Sequence, residues 1–426
     1  MEAYTYNIVV EINGMDKMNQ EHGRNGIFSR RVFFSHGLRF AGKSAVFCSI
    51  SRPYLAKSQP QWRRFAYSSS QGGVDGSLSI IRGIPVLIVQ GSDPFIQGRT
   101  VGKLALSQAS GILSYPKVLL TQLKMAPLWP LLVSLGERMV RKFPERFQIE
   151  LDSMQKSSGV DRDALVVGNT VFDLKQMVLC SGIAVEKERS ATGGGILARN
   201  LDYPPFGDIG QYTLVQVIRQ GGGMLAYASV GFPGILGVLS GINEAGLALA
   251  IHEVIDLKVG KRKYNPQGLP YALCYRMVLE KCQTVDEAKS FLEKVERTTT
   301  TNLLISDRKK AAVFEVTPDK ILVRPVEMGA VCCTNHFCLP DHLPDNPLNP
   351  FRSFERKNSM ETIKKKNEKI GIDDMKKMLD GANLGDHTLQ SIIFECEPLK
   401  VHLAYGKPPA STGPYRDLDL KPLLSP

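Results

Sequence analysis

Residues 1 to 78 carry no sustained hydrophobic period, and from Leu78 the pattern changes. Ile80-Ile81 and Val86 to Val89, split by Gly83 and Pro85, predict two short strands. Gly91, Gly98 and Gly102 predict a turn into a helical stretch, residues 105 to 156, broken at Pro116 and at Pro127 to Pro130. Val160 to Leu174 reads as an amphipathic helix, with Asp161 and Asp163 at the end where the helix dipole favours acids. Strands dominate after Leu174. Gln176 to Val185, a polar Gly-rich turn (Ser190, Thr192, Gly193 to Gly195) and the returning run to Asp202 predict a β-hairpin. Tyr212 to Arg219 and Met224 to Val230 flank three glycines, and Leu239 to Ile251 folds back at Asn243. Two helices follow within 268 to 296, the second opening at Thr284 with Asp286 and Glu287 in its first turn. Thr298–Ser306, Ala311–Thr317, Ile321–Val326 and Val331–Phe337 predict further strands, residues 351 to 380 a lysine-rich helix, and Leu389–Glu395 with Lys400–Tyr405 a closing pair. Strands cluster instead of alternating with helices, which excludes a parallel doubly wound sheet and predicts two stacked antiparallel sheets flanked by helices, an α+β fold.

Composition agrees with a folded core: 43% hydrophobic and 22% charged residues over 426 positions. The net charge of +11 changes the picture once it is located. Residues 22 to 74 hold nine Lys or Arg and no acid, so the remainder carries about +2. The division expected is a basic extension, residues 1–78, followed by one folded unit, 79–426. The extension reads as an organelle transit segment, a basic tail or upstream sequence foreign to the protein. No nucleic-acid-binding signature accompanies it, so nucleic acid is not an expected partner. The longest apolar run, Ala126 to Leu135, is too short to span a bilayer. Eight cysteines without a Cys-x-x-Cys, and no glycosylation sequon, point to a reducing compartment. The cytoplasm is the default and an organelle the alternative.

Two stretches carry candidate chemistry. Gly37-Leu-Arg-Phe-Ala-Gly42-Lys43-Ser44 fits the phosphate-loop spacing, but Pro53 truncates the helix that the motif needs. The hairpin is the stronger candidate. It brings the Cys180 thiol, the Arg199 cation and the Asp202 carboxylate to one end of a sheet, and a cation beside a thiol favours the nucleophilic thiolate. A buried structural cysteine and a surface ion pair are the plainer alternative.

Four separated stretches, in order, widen the hairpin reading: Cys180-Ser-Gly, Ala198-Arg199-Asn200-Leu201-Asp202-Tyr203, Gly241-Ile-Asn243-Glu-Ala-Gly246-Leu, and Thr334-Asn335-His336-Phe337 with Ser353-Phe-Glu-Arg356. Together they resemble the cysteine N-terminal-nucleophile hydrolases: isopenicillin N acyltransferase, the penicillin V acylase and choloylglycine hydrolase group, and acid ceramidase. Asn335-His336-Phe337 and the ending Tyr405-Gly-Lys-Pro-Pro look closest to the acyltransferase branch, over residues 80 to 425. The resemblance implies a four-layer αββα sandwich and a precursor cut between Leu179 and Cys180. The pieces would be a helical part, 79–179, and a catalytic part, 180–426, held as a heterodimer. It implies that Cys180 is the nucleophile, that Asp202 holds its new amine and that Arg199 stands near the thiol. Asn243 and Asn335 would contact substrate or form the oxyanion hole, and Arg356 would brace the carboxylate. The implied substrate is a small amide or acyl thioester with an apolar acyl group, and no cofactor or metal is implied. The loop from Cys180 to Arg199 looks about three residues longer than in those relatives. A phosphate-loop protein and a non-catalytic member of the same fold are the competing readings.

Overall fold

The computed structural model describes Trp62 and residues 65–67, 75–122, 124–174, 178–203, 209–366 and 368–425. The Gly37 to Ser44 motif lies outside the described residues. Strands β1 (Phe65–Tyr67), β2 (Gly76–Ile81) and β3 (Ile84–Gln90) come first. Five helices follow: α1 (Pro94–Leu104), α2 (Gly111–Gln122), α3 (Trp129–Val140), α4 (Glu145–Ser158) and α5 (Arg162–Leu174). The hairpin is β4 (Leu179–Val185) and β5 (Ile196–Asp202). Next come β6 (Leu214–Arg219), β7 (Tyr227–Gly231), β8 (Ser240–Asn243) and β9 (Ala248–Glu253), then α6 (Tyr271–Lys281) and α7 (Val285–Leu292). The chain continues through β10 (Thr301–Ser306), β11 (Ala311–Val316), β12 (Ile321–Arg324) and β13 (Ala330–Cys333), then α8 (Ser353–Lys366) and α9 (Ile372–Gly381). It ends on β14 (Thr388–Glu395), β15 (Lys400–Tyr405), β16 (Arg416–Asp419) and α10 (Lys421–Leu424).

Among the described residues the strands form a ten-stranded sheet, β1-β2-β3-β6-β7-β8-β9-β10-β11-β12, and a six-stranded sheet, β13-β4-β5-β14-β15-β16. Apolar side chains of both sheets, among them Val86, Val217, Ile242 and Leu304 opposite Ala184, Leu197, Ile392 and Phe394, form the core between them. The outer face of the larger sheet packs on α1 to α7, and that of the smaller sheet on Met360, Met375, Met378 and Leu379 of α8 and α9. The four-layer αββα order is the one expected.

Four details depart from the sequence reading. The larger sheet is not wholly antiparallel, because β3 pairs with β6 in parallel, Val86 opposite Val215 through Gln90 opposite Arg219. The five helices and the hairpin intervene between these strands, a crossover long enough for parallel entry. Gly98 and Gly102 are not turn residues but lie inside α1, which packs closely on α4. A β-carbon at Gly98 would fall 2.1 Å from the Glu150 carbonyl oxygen, and one at Gly102 2.0 Å from Ser157 Oγ. Finally, the strand expected through Phe337 stops at Cys333. Beyond it, Asn302 Nδ2 donates to the carbonyls of Thr334 and His336, and the Asn335 amide donates to Ser353 Oγ, so the backbone leaves the ladder already satisfied. The sheet also begins at β1, ahead of the boundary placed at residue 78.

The helical part and the strand-rich part interlock. Arg276 of α6 is fully buried and makes a 2.9 Å ion pair with Glu150 of α4. Asp173, near the end of α5, accepts from the Tyr271 amide at the start of α6 and from Thr298 Oγ1. Burial pushes this carboxyl from the ordinary 3.8 to about 7. Because the folded value is raised, the stability conferred by the neutral form is complete below about pH 4 and disappears as pH climbs towards 7. Asp173→Asn keeps the acceptor without the charge. Urea melts should therefore find the variant equal to the parent at pH 4 and roughly 4 kcal/mol more stable at pH 8. A difference that does not change with pH would refute this.

Candidate active site

Strand β4 is buried on both faces because it lies between α8–α9 and the larger sheet. Alternation sends Ser181, Ile183 and Val185 towards the helices. Cys180 and Ala184 go the other way, as do Arg199 and Leu201 on β5. Ladder register places Leu179 opposite Asp202 and Cys180 opposite Leu201. The thiol and the arginine therefore share a face: Arg199 Nη2 donates to Cys180 Sγ at 3.0 Å, and Nη1 to Ser240 Oγ at 2.7 Å on the facing sheet.

The backbone around Cys180 meets a second group of residues. The Cys180 amide donates to Asn335 Oδ1 at 2.9 Å. Arg356, reaching in from α8, donates to the Cys180 carbonyl at 2.7 Å and to Asn335 Oδ1 at 2.9 Å. Asn335 Nδ2 donates to the carbonyls of Glu253 and Val178. Asp202 Oδ1 accepts from Thr388 Oγ1 at 2.6 Å. Its buried Oδ2 accepts no hydrogen bond from the described residues and stands 3.8 Å from Arg356 Nη1. Arg199, Asp202, Asn335 and Arg356 thus gather around Cys180.

Asn243 does not join them. Its amide donates to the Leu279 and Cys282 carbonyls at the end of α6, and its Oδ1 accepts from the Leu247 amide. These bonds fix the β8–β9 turn to a helix end and use both of its donors. None of these bonds reaches the Cys180 cluster.

Residues that the sequence reading missed complete the cluster. Glu253, at the end of β9, accepts from the Val178 amide at 2.7 Å and from Tyr271 Oη at 2.6 Å. An acid closing the apolar run to Ile251 was the available signal. Ser240 and Thr388 gave none, since they reach the site only through sheet stacking and pairing.

Electrostatics disfavour thiolate in the uncut chain. Burial pushes the Cys180 thiol up to about 11, outweighing the opposing pull of Arg199. Burial also raises Asp202 to about 6 against the lowering influence of Arg356, the Thr388 hydrogen bond and Arg199.

Beside this cluster lies an apolar cavity of about 80 Å³, part of it open to solvent. Ile112, Leu113, Tyr115 and Pro116 of α2 form one wall, and Gly168, Val171 and Phe172 of α5 another. Val178, Leu201, Tyr203 and Leu389 join it to the strands that carry Leu179 and Cys180. Cys180 packs in the same apolar cluster as these walls.

Residues 189–409 match the family described as acyl-coenzyme A:6-aminopenicillanic acid acyl-transferase. The match begins after Cys180 and includes Arg199, Asp202, Asn335 and Arg356. No curated protein sequence matches the chain. Solved structures similar to it include a mutant conjugated bile acid hydrolase from Clostridium perfringens, with 16% identity, 57% of this chain and 93% of that chain covered, and a TM-score of 0.39. The N-acylethanolamine-hydrolyzing acid amidase ortholog of Caenorhabditis elegans shares 17% identity, over 50% of this chain and 92% of that chain, with a TM-score of 0.37. Penicillin V acylase from Agrobacterium tumefaciens shares 13% identity, over 53% and 82%, with a TM-score of 0.36.

Proposed function

The chain belongs to the acyl-coenzyme A:6-aminopenicillanic acid acyl-transferase family of acyl-transferring enzymes, and from that premise we propose that it cuts its own Leu179–Cys180 bond and then uses Cys180 as an amino-terminal nucleophile. The supporting observation is the uneven environment of one nitrogen. In the uncut chain the Cys180 amide has one proton and spends it on Asn335 Oδ1. A freed amine gains further protons, and across the ladder from Leu179 lies Asp202, whose buried Oδ2 accepts no hydrogen bond from the described residues. The acceptors for an amine are in place before the amine exists.

In the cutting step Cys180 Sγ attacks the Leu179 carbonyl carbon. The carbon–nitrogen bond breaks as the thioester forms, and the thiol proton passes to the departing nitrogen. Water then cleaves the thioester, leaving a Leu179 carboxylate and a free Cys180 amine. An α-amine titrates at ~7.7–8.0, close to working pH, so once freed it can serve as the general base for its own thiol. In turnover Sγ attacks the acyl carbon of an amide or thioester, the amine or thiol leaves with that proton, and water or an amine takes the acyl group. Arg199 steadies the sulfur, Asn335 and Arg356 hold the Cys180 backbone, and Asp202 anchors the amine. The pieces 79–179 and 180–426 stay together, since β3 pairs with β6 and Arg276 remains buried against Glu150.

The apolar cavity takes the acyl group on this reading. Val171 lines it, so Val171→Phe should shorten the preferred acyl chain, lowering kcat/KM for the longest good substrate at least tenfold relative to a short one. A profile of kcat/KM against acyl length checks this, and an unshifted profile counts against the cavity. The proposal as a whole is tested by intact-mass analysis of the purified protein, then by amides of graded acyl length with and without an added amine. A chain that remains uncut and turns over no amide sinks it.

A further inference from the structure

Where the wall of the apolar cavity ends, at Tyr203 and Leu389, the Tyr203 amide donates to the His387 carbonyl. The His387 ring in turn faces Phe351, with ring centroids 6.2 Å apart. Phe351 is unusual twice over. It is a large apolar side chain left 47% exposed. It and Arg352 are also consecutive non-glycine residues in the left-handed region, with φ of 48° and 57°. Such backbone is strained for any residue with a β-carbon, and it concentrates at functional sites.

Part of what the kink achieves is visible. It turns the Phe351 carbonyl onto Arg356 Nε at 3.1 Å, and the same guanidinium holds the Cys180 carbonyl and Asn335. A glycine would serve that carbonyl with less strain. The ring is therefore the part that the backbone argument leaves unexplained, and through His387 it is linked to Tyr203 of the cavity wall. On the proposed reaction the acyl tail lies inside the cavity, so whatever is bonded to the amide nitrogen must extend past its rim.

We propose that Phe351, backed by His387, is a specificity-determining residue that packs against the amine side of the substrate and favours amines bearing an apolar or aromatic group over ammonia. The inference rests on the acyl-transfer reading above. Burying an otherwise exposed ring against such a group supplies the preference, and its flat face suits a planar partner.

The test compares Phe351→Ala and Phe351→Gly with the wild-type enzyme, using a benzylamide and a primary amide of one acyl group. Both variants should lower the benzylamide to primary-amide ratio of kcat/KM about tenfold, chiefly through KM. Phe351→Gly should also melt several degrees above Phe351→Ala, because only glycine accepts the left-handed backbone freely. A merely structural Phe351 would move the melting temperature and leave the ratio alone. Wild-type turnover of the primary amide reports on the underlying reaction independently, so an unchanged ratio in both variants falls on Phe351 alone and overturns the inference. Equal melting temperatures for the two variants overturn the strain argument behind it.

Discussion

Cys180→Ala should yield one uncut species of 47.1 kDa with no measurable acyl turnover, where the parent should yield fragments ending at Leu179 and beginning at Cys180. The expectation is an all-or-none loss, because on the proposed mechanism one sulfur atom serves both reactions. Removing a nucleophile from an acyl-transfer site typically costs on the order of 10⁶ in kcat. The fold should survive. Cys180 is fully buried, and its replacement removes one sulfur contact of Arg199 while the 2.7 Å bond to Ser240 remains. Loss of function in a chain with a parental melting curve separates chemistry from misfolding. Intact mass and an amide assay on the same sample decide the matter. A variant still cut at residue 179, or one that still turns over amide, removes Cys180 from the mechanism.

What the sequence could reveal of this site depended on how each residue is held. Cys180, Arg199 and Asp202 lie on one hairpin whose register follows from apolar alternation and a Gly-rich turn, so their convergence is a local property. Asn335 and Arg356 arrive from a loop after β13 and from α8, and only resemblance to a family placed them there. Glu253 and Ser240 come from the larger sheet. Their contact with the hairpin exists only once two sheets stack, a fact that no periodicity encodes. The parallel β3–β6 pairing was hidden for the same reason, since strand direction follows from the path of a long crossover. Gly98 and Gly102 misled because a glycine that admits a neighbouring helix and one that makes a turn look alike in a sequence.

The two asparagines sharpen the point, because the resemblance ranked Asn243 and Asn335 alike and the structure gives them opposite work. Asn335→Ala removes the acceptor for the Cys180 nitrogen and for Arg356 Nη2, together with the donor to the Glu253 carbonyl, all at 2.9 Å. Self-cleavage should stall, and any mature enzyme should lose about 10²–10³ in kcat, the scale seen when one preorganised donor is deleted from an acyl-transfer site. Asn243→Ala instead strands the Leu279 and Cys282 carbonyls and the Leu247 amide inside the protein. Each buried group left unsatisfied costs about 1–3 kcal/mol, so this variant should unfold at lower urea yet cut itself and turn over substrate at the parental rate while folded. Urea melts and single-turnover kinetics on both variants distinguish the two roles. A folded Asn243→Ala enzyme with a depressed single-turnover rate would return Asn243 to the active site. An Asn335→Ala enzyme that still processes and turns over normally would remove Asn335 from it, and with it the argument that acceptors for the Cys180 amine are built before the bond is cut.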